Sequence, residues 1–513
     1  MNVARVASRA QLGLSAPRVE VEVHLGSGLP QFSIVGLPAT AVKESKDRVR
    51  AALANCGFEW PAGRVTVNLS PADLPKEGCR YDLPIALGIL LASEQVKFSA
   101  ELLACYEFYG ELGLAGELKP IRGVLLAAAH AARESRRIVV PTDNHSEARI
   151  AECSAAHASS LLAVCHLFAA HGGEVGTAAV LADSAPLPHA TPLELADVRG
   201  QAAPKRALLV AAAGGHSLLL VGPPGTGKTM LAQRLPDLLP PLEGAEALDV
   251  AAIASVSGRG FDARDYGRRP FRAPHHSASA NAIIGGGPQV RPGEVSLAHR
   301  GVLFLDELPE FDRRVLESLR EPLESGVVSI ARAALQVEYP ARFQLIAAMN
   351  PCPCGYLGDV AGRCRCAPRQ IARYRARISG PLLDRIDLRV EVPAVPSDEL
   401  LGAGLALPDE LTTARAAECV RVARALQMQR AAKLNADLTP AELREVCRLD
   451  RHCRLLLGRA RSRLELSARG MHRVLRVART IADLDAGQAR PNGIETRHLG
   501  EALQLRRVCT TQG

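Results

Sequence analysis

The chain has 513 residues, 47% of them apolar, and a net charge of +8. This length supports two or three separate cores, the apolar content excludes a disordered tail, and the modest charge permits a nucleic-acid partner without requiring one. No run of about 18 apolar residues predicts a membrane span and no continuous apolar segment marks the start as a signal peptide; 13 scattered cysteines suit a reducing cytoplasm better than a disulfide framework.

Residues 1–170 alternate strand-like runs with helical ones. The strand-like runs are RVEVEVHL (18–25), RVTVNLS (64–70), FYGELGLAGEL (108–118) and RIVVPT (137–142); the helical ones are VKESKDRVRAALANCG (42–57) and RGVLLAAAHAARES (122–135). This pattern predicts an α+β domain. Residues 171–192 are rich in small residues and proline and read as a linker. From 193 to 395 strands and helices alternate as in a parallel α/β sheet, and from 396 to 513 the pattern is helical almost throughout.

The clearest chemistry lies in SLLLVGPPGTGKTMLAQRL. An apolar strand, Ser217 to Val221, runs into Gly222-Pro223-Pro224-Gly225-Thr226-Gly227-Lys228-Thr229 and then into an amphipathic helix. In this pattern glycines let backbone N–H groups wrap phosphates, the lysine reaches the β- and γ-phosphates, and the threonine holds Mg²⁺. A buried strand, Val302 to Leu305, then ends in Asp306 and Glu307. Two adjacent acids there are costly unless they face a ligand, so Asp306 is expected in the Mg²⁺ shell and Glu307 on the attacking water of phosphoryl transfer. A further strand, ARFQLIAAMN, ends in Asn350, which could meet the γ-phosphate or that water. Arg385 stands between acids in GPLLDRIDL. Arg469 follows an expected N-cap, Ser467; a cation in a first helical turn opposes the helix dipole, which suggests an external anion, with a surface ion pair as the plainer reading.

After Asn350 come Cys352, Cys354, Cys364 and Cys366. They could supply four thiolates to one tetrahedral Zn²⁺, or remain four reduced thiols, since the CxC spacing is tighter than the usual knuckle. A basic run from Arg363 to Arg377 follows. His275 and His276, paired in RAPHHS, are taken as structural.

In this order the two phosphate-site motifs, Asn350, Arg385 and Arg469 resemble an AAA+ ATPase with a C-terminal helical lid, of the magnesium-chelatase-like branch. RPFRAPHHSASANAIIGGG and NPCPCG are similar to the ComM/YifB family. FSIVGLPATAVKESKDRVRAAL and LPKEGCRYDLPIALGIL extend that resemblance into the first domain. The family implies ATP and Mg²⁺, a homo-hexameric ring with Arg385 as a finger toward the neighbour's ATP, and Asn350 and Arg469 as sensors. It also implies ATP-driven branch migration of DNA in natural transformation. Two segments permit DNA contact: a hairpin within 324–343 carrying Arg332, and a glycine-rich insertion carrying Arg291. Ordinary surface charge accounts for either arginine equally well.

The first domain looks like the proteolytic domain of Lon. The Lon nucleophile motif PKDGPSAG corresponds to Pro75-Lys76-Glu77-Gly78-Cys79-Arg80-Tyr81-Asp82, which puts Arg80 at the serine, or Cys79 with a one-residue slip. The lysine position falls on Leu125. With the dyad absent, a scaffold is expected. The alternative to a DNA motor is a protein-remodelling ATPase of chelatase type, and the Lon-like domain is taken as evidence against a dedicated chelatase subunit. A non-catalytic scaffold is the third reading, opposed by Lys228, Asp306 and Glu307.

Overall fold

The structure, a computed structural model, describes residues 3–169, 192–258, 260–287, 290–332, 335–358, 362–395, 411–464, 466–487 and 493–506. All but one residue of the expected 171–192 linker, and the first 15 residues of the expected lid (396–410), lie outside the described residues.

Two compact units account for the chain. One is Met1–His189 with Glu243–Tyr266; the other is Ala190–Leu242 with Gly267–Gly513. In the first, four strands lie in the order Val3–Arg9, Arg18–Gly26, Arg64–Ser70, Gln31–Val35. Register follows the apolar alternation: Val21 pairs with Leu69 and Val23 with Val67, so every buried valine faces the same core. The helix Asp82–Ala92 is buried along nearly all its length and covers that face. A second, parallel sheet joins Tyr106–Phe108, Arg137–Pro141 and Ala155–Ala158. The long expected strand 108–118 is instead broken into short pieces, Tyr106–Phe108 and Glu111–Leu112, because its glycines interrupt pairing.

The helix Gly244–Ser255 packs with this first unit, although its position in the chain lies inside the expected 193–395 ATPase core. Its buried face is made of Ala247, Ala251, Ala252, Ile253 and Ser255, small enough to lie close to the alanine-rich helix Val124–Arg133.

The second unit is built on a five-stranded parallel sheet, in the order Phe271–Arg272, Val302–Leu305, Gln344–Met349, Leu218–Val221, Leu388–Glu391. The three strands from Val302–Leu305 to Leu218–Val221 are buried throughout, as the unbroken apolar runs require when helices cover both faces. The strand Gln344–Met349, followed by Asn350, lies between Leu218–Val221 and Val302–Leu305, so the phosphate loop, Asn350 and Asp306 all leave the same edge of the sheet.

One hydrophobic core continues from this sheet through the helix Ala202–Gly214 into the C-terminal helices Thr413–Ala431 and Ala468–Ala486. A polar pin fastens the lid to the sheet. Asp387 accepts hydrogen bonds from Ser217 and from Arg473 of the lid helix. Burial alone would raise this carboxyl, but His216 and Arg473 beside it hold it well below the usual carboxylate range.

Candidate active site

Gly225 and Gly227 adopt φ of +77° and +83°, and a Cβ at either would meet nothing within 4 Å. The chain therefore turns in the left-handed region around open space, which is the cradle a phosphate group needs. The helix Lys228–Gln233 leads out of it. The Lys228 ammonium reaches back over the loop, donating to the carbonyls of Gly222 (2.8 Å) and Pro223 (2.7 Å) and to Asn350 Oδ1 (3.3 Å). Burial pulls its pKa down, while Asp306 and Glu307 work the other way. A cation held among neutral carbonyls close to two acids is placed to receive an anionic ligand.

Across the edge, Thr229 Oγ1 donates to Asp306 Oδ2 at 2.8 Å. Two hard oxygen donors side by side at a phosphate cradle suit Mg²⁺, which takes few protein ligands and fills its shell with water and phosphate oxygens. Glu307 follows with φ of +51°, and its N–H donates to Asp306 Oδ1 at 2.9 Å. This turn carries the Glu307 carboxylate to His276, whose Nδ1 lies 3.2 Å from Oε2. The His275 ring lies tilted against His276 with ring centroids 4.1 Å apart. Sequence reasoning left this pair as structural; the structure places His276 on one of the two strand-tip acids. The signal was the short strand Phe271–Arg272, which pairs beside Val302–Leu305 and delivers the following loop to Glu307.

Arg385 and Arg469 are brought together, but elsewhere. Arg385, almost buried, pairs with Glu324, and Arg469, 76% exposed, has a guanidinium nitrogen 3.8 Å from the same carboxylate. Among the described residues neither has a hydrogen bond or ion pair with residues 222–229. Ser467 caps the lid helix as expected, accepting from the Gly470 N–H at 3.0 Å. Glu324, the shared partner, went unnoticed in the sequence.

The two arginine-bearing insertions are hairpins. Gly285–Gly286 pairs with Arg291–Pro292, and Val327–Arg332 pairs with Leu335–Pro340, so Arg332 is the last paired residue of its strand. They are joined by the Tyr339 hydroxyl, which donates to the Val290 carbonyl at 2.8 Å. Arg291 is exposed.

The four cysteines converge. One ligand atom from each of Cys352, Cys354, Cys364 and Cys366 lies within 4.8 Å of all the others, a cluster that could hold a metal ion. Members of the basic run are spent locally: Arg375 donates to the Pro351 carbonyl, Arg377 to Glu310, and Arg363 lies 4.3 Å over the Tyr356 ring.

In the first unit, Arg80 is buried and donates to Gln11 and to the Arg122 carbonyl, and Leu125 is fully buried. Burial pushes the Cys79 thiol up to about 11. Among the described residues no helix is long and apolar enough to cross a membrane.

Three family models match the chain. Residues 194–400 match magnesium chelatase, subunit ChlI; residues 410–506 match its C-terminal region; residues 21–144 match a model described as subunit ChlI of Mg-chelatase. The competence protein ComM of Haemophilus influenzae is 47% identical over 510 residues, covering 99% of this chain and 98% of that protein. YifB of Escherichia coli is also 47% identical over 99% of the chain. The magnesium-chelatase 67 kDa subunit of Heliobacterium mobile is 30% identical over 200 residues, 33% of this chain and 30% of that protein. With the parallel sheet, phosphate loop and helical lid in place, the chain belongs to the ComM/YifB family of magnesium-chelatase-like AAA+ ATPases.

Proposed function

We propose that the chain is an ATP-hydrolysing ring motor that acts on DNA, a helicase that migrates branches in recombination during natural transformation. The end-to-end match to a competence protein carries this reading. The adjoining hairpins support it: the exposed Arg291 lies on one and Arg332 ends a strand of the other, and basic residues on hairpins of a ring would meet a phosphate backbone.

In this reading the N–H groups around Gly225 and Gly227 receive the phosphates of ATP and Lys228 turns from its carbonyls to the γ-phosphate. Thr229 and Asp306 would hold Mg²⁺, which would supply charge neutralisation at the phosphate oxygens. Glu307 orients a water and accepts its proton as the oxygen bonds to the γ-phosphorus; the bond from that phosphorus to the ADP oxygen breaks, giving ADP and phosphate. Asn350, already at Lys228, fixes the γ-phosphate or the water. Arg385 and Arg469 act on the ATP of a neighbour in a homo-hexamer. The cysteine cluster takes a structural Zn²⁺. The first unit is a scaffold, because Cys79 stays protonated at neutral pH and Leu125 offers no base.

A protein-remodelling ATPase is the second reading, favoured by the three chelatase models. ATP hydrolysis measured with no DNA, single strand, duplex and a four-way junction separates them, with Lys228→Ala as the blank. A DNA motor should be stimulated by junction or single strand at least about fivefold, the scale of a 1 kcal/mol coupling. Turnover indifferent to all four conditions overturns the DNA reading.

A further inference from the structure

We propose that Cys352, Cys354, Cys364 and Cys366 hold one Zn²⁺ whose work is to shape the nucleotide site, by pressing the cysteine loop onto the phosphate loop and fixing Asn350 against Lys228. This rests on the reading of residues 222–229 as the ATP site.

The sulfur positions carry the metal half. A tetrahedral Zn²⁺ with Zn–S bonds of about 2.3 Å sets its sulfurs about 3.8 Å apart. Here Cys352 and Cys364 are 3.8 Å apart, Cys354 and Cys364 3.7 Å, and Cys352 and Cys354 3.4 Å. The shortest edge is the one the CxC spacing pinches. These edges fit a single ion; a cluster of several irons would hold the sulfurs further apart. With four thiolates the shell is closed, so the ion is structural and takes no part in the chemistry.

The surroundings carry the other half. Cys352 is fully buried, two residues beyond Asn350. Gly355 accepts a turn with φ of +84°, and its N–H donates to the Cys352 carbonyl at 3.0 Å. A Cβ on Gly355 would stand 2.6 Å from Pro224 Cδ and 3.8 Å from Asn350 Cγ. The cysteine loop thus lies so close to the phosphate loop at Pro224 that a side chain at Gly355 would clash there and reach Asn350, which meets Lys228. Arg375 ties down the Pro351 carbonyl from the other side. Without an ion, four thiols have no reason to stay together, and Asn350 and Pro224 lose the wall behind them.

The test uses the full chain purified without added metal or chelator. Elemental analysis should find about one zinc per chain, and close to none in Cys354→Ser/Cys364→Ser. A fluorescent ATP analogue is then titrated into wild type before and after a zinc-selective chelator, in excess Mg²⁺. Removal of zinc should weaken its binding about tenfold, and zinc added back should restore it. Chelated wild type keeps the result independent of whether the serine variant folds. Less than a tenth of an equivalent of zinc overturns the metal site. Full zinc with affinity unchanged by its removal overturns the coupling. Full zinc with no ATP binding at all overturns the nucleotide-site reading and the coupling with it, leaving the metal site standing.

Discussion

Glu307 is the residue at which local sequence and fold part company. Its place at a strand tip was legible because Asp306 and Glu307 close an apolar strand, and the places of Lys228 and Thr229 were legible because the phosphate loop is contiguous in the chain. His276 was not, since 31 positions separate it from Glu307 and only the pairing of Phe271–Arg272 beside Val302–Leu305 joins them. In this arrangement His276 sits on the carboxylate that, in the proposed mechanism, would take a proton from water. The two side chains are 35% and 53% exposed, so a contact between them is worth no more than other surface polar pairs, up to about 1 kcal/mol. His276→Ala should therefore raise turnover in the absence of DNA by no more than roughly fivefold and leave ATP affinity unchanged. Glu307→Gln should lower turnover by about 10²- to 10⁴-fold, as loss of a proton acceptor does. Steady-state kinetics of both variants decide the matter; a His276→Ala enzyme that falls with Glu307→Gln means the histidine assists catalysis and does not restrain it.

At the scale of elements, most strands and the lid helices follow their apolar periodicity: RVTVNLS is the strand Arg64–Ser70, and SARGMHRVLRVARTIADL is the helix Ala468–Ala486. What periodicity does not contain is the core each element joins. The helix Gly244–Ser255 has an apolar face that would fit either core, and its allegiance is settled by contacts with residues far away in sequence. One of those contacts has a thermodynamic signature. Glu147 is buried in the first unit with Ser255 Oγ 3.3 Å from one carboxylate oxygen, and burial pushes its pKa up to about 7. A carboxyl whose pKa rises on folding binds its proton more tightly in the folded state. Its contribution is fully present below the unfolded value near 4.5 and is lost as pH rises to about 7. Glu147→Gln keeps the shape and removes the charge. It should stabilise the first unit above pH 7, by up to about 3 kcal/mol, and give no gain near pH 4.5. Urea unfolding of the full chain at pH 5 and pH 8, followed on the transition of the first unit, measures this; an equal shift at both values would exclude Glu147 titration as its source.

For the whole molecule the informative fact is where Arg385 and Arg469 are. Both converge on Glu324, and neither is engaged by its own phosphate loop among the described residues. Glu324 offers the two guanidiniums one shared negative charge, and in the proposed ring a γ-phosphate presented by another chain would compete for both. In the proposed ring, Lys228 and Arg385 would then belong to different sites even though they lie on one polypeptide. This predicts complementation between two inactive proteins. A Lys228→Ala subunit still carries Arg385, and an Arg385→Ala subunit still carries a sound phosphate loop. Where the first stands on the finger side of the second, one working site is rebuilt. Random mixing at equal amounts makes that neighbour pair at about a quarter of the positions in a ring, so the mixture should recover up to roughly a quarter of wild-type ATP hydrolysis. The proteins are mixed at a concentration where rings are dissociated and then assembled with ATP. If the two residues served the same site in one chain, every subunit would lack one of them, and the mixture would stay as inactive as its parents.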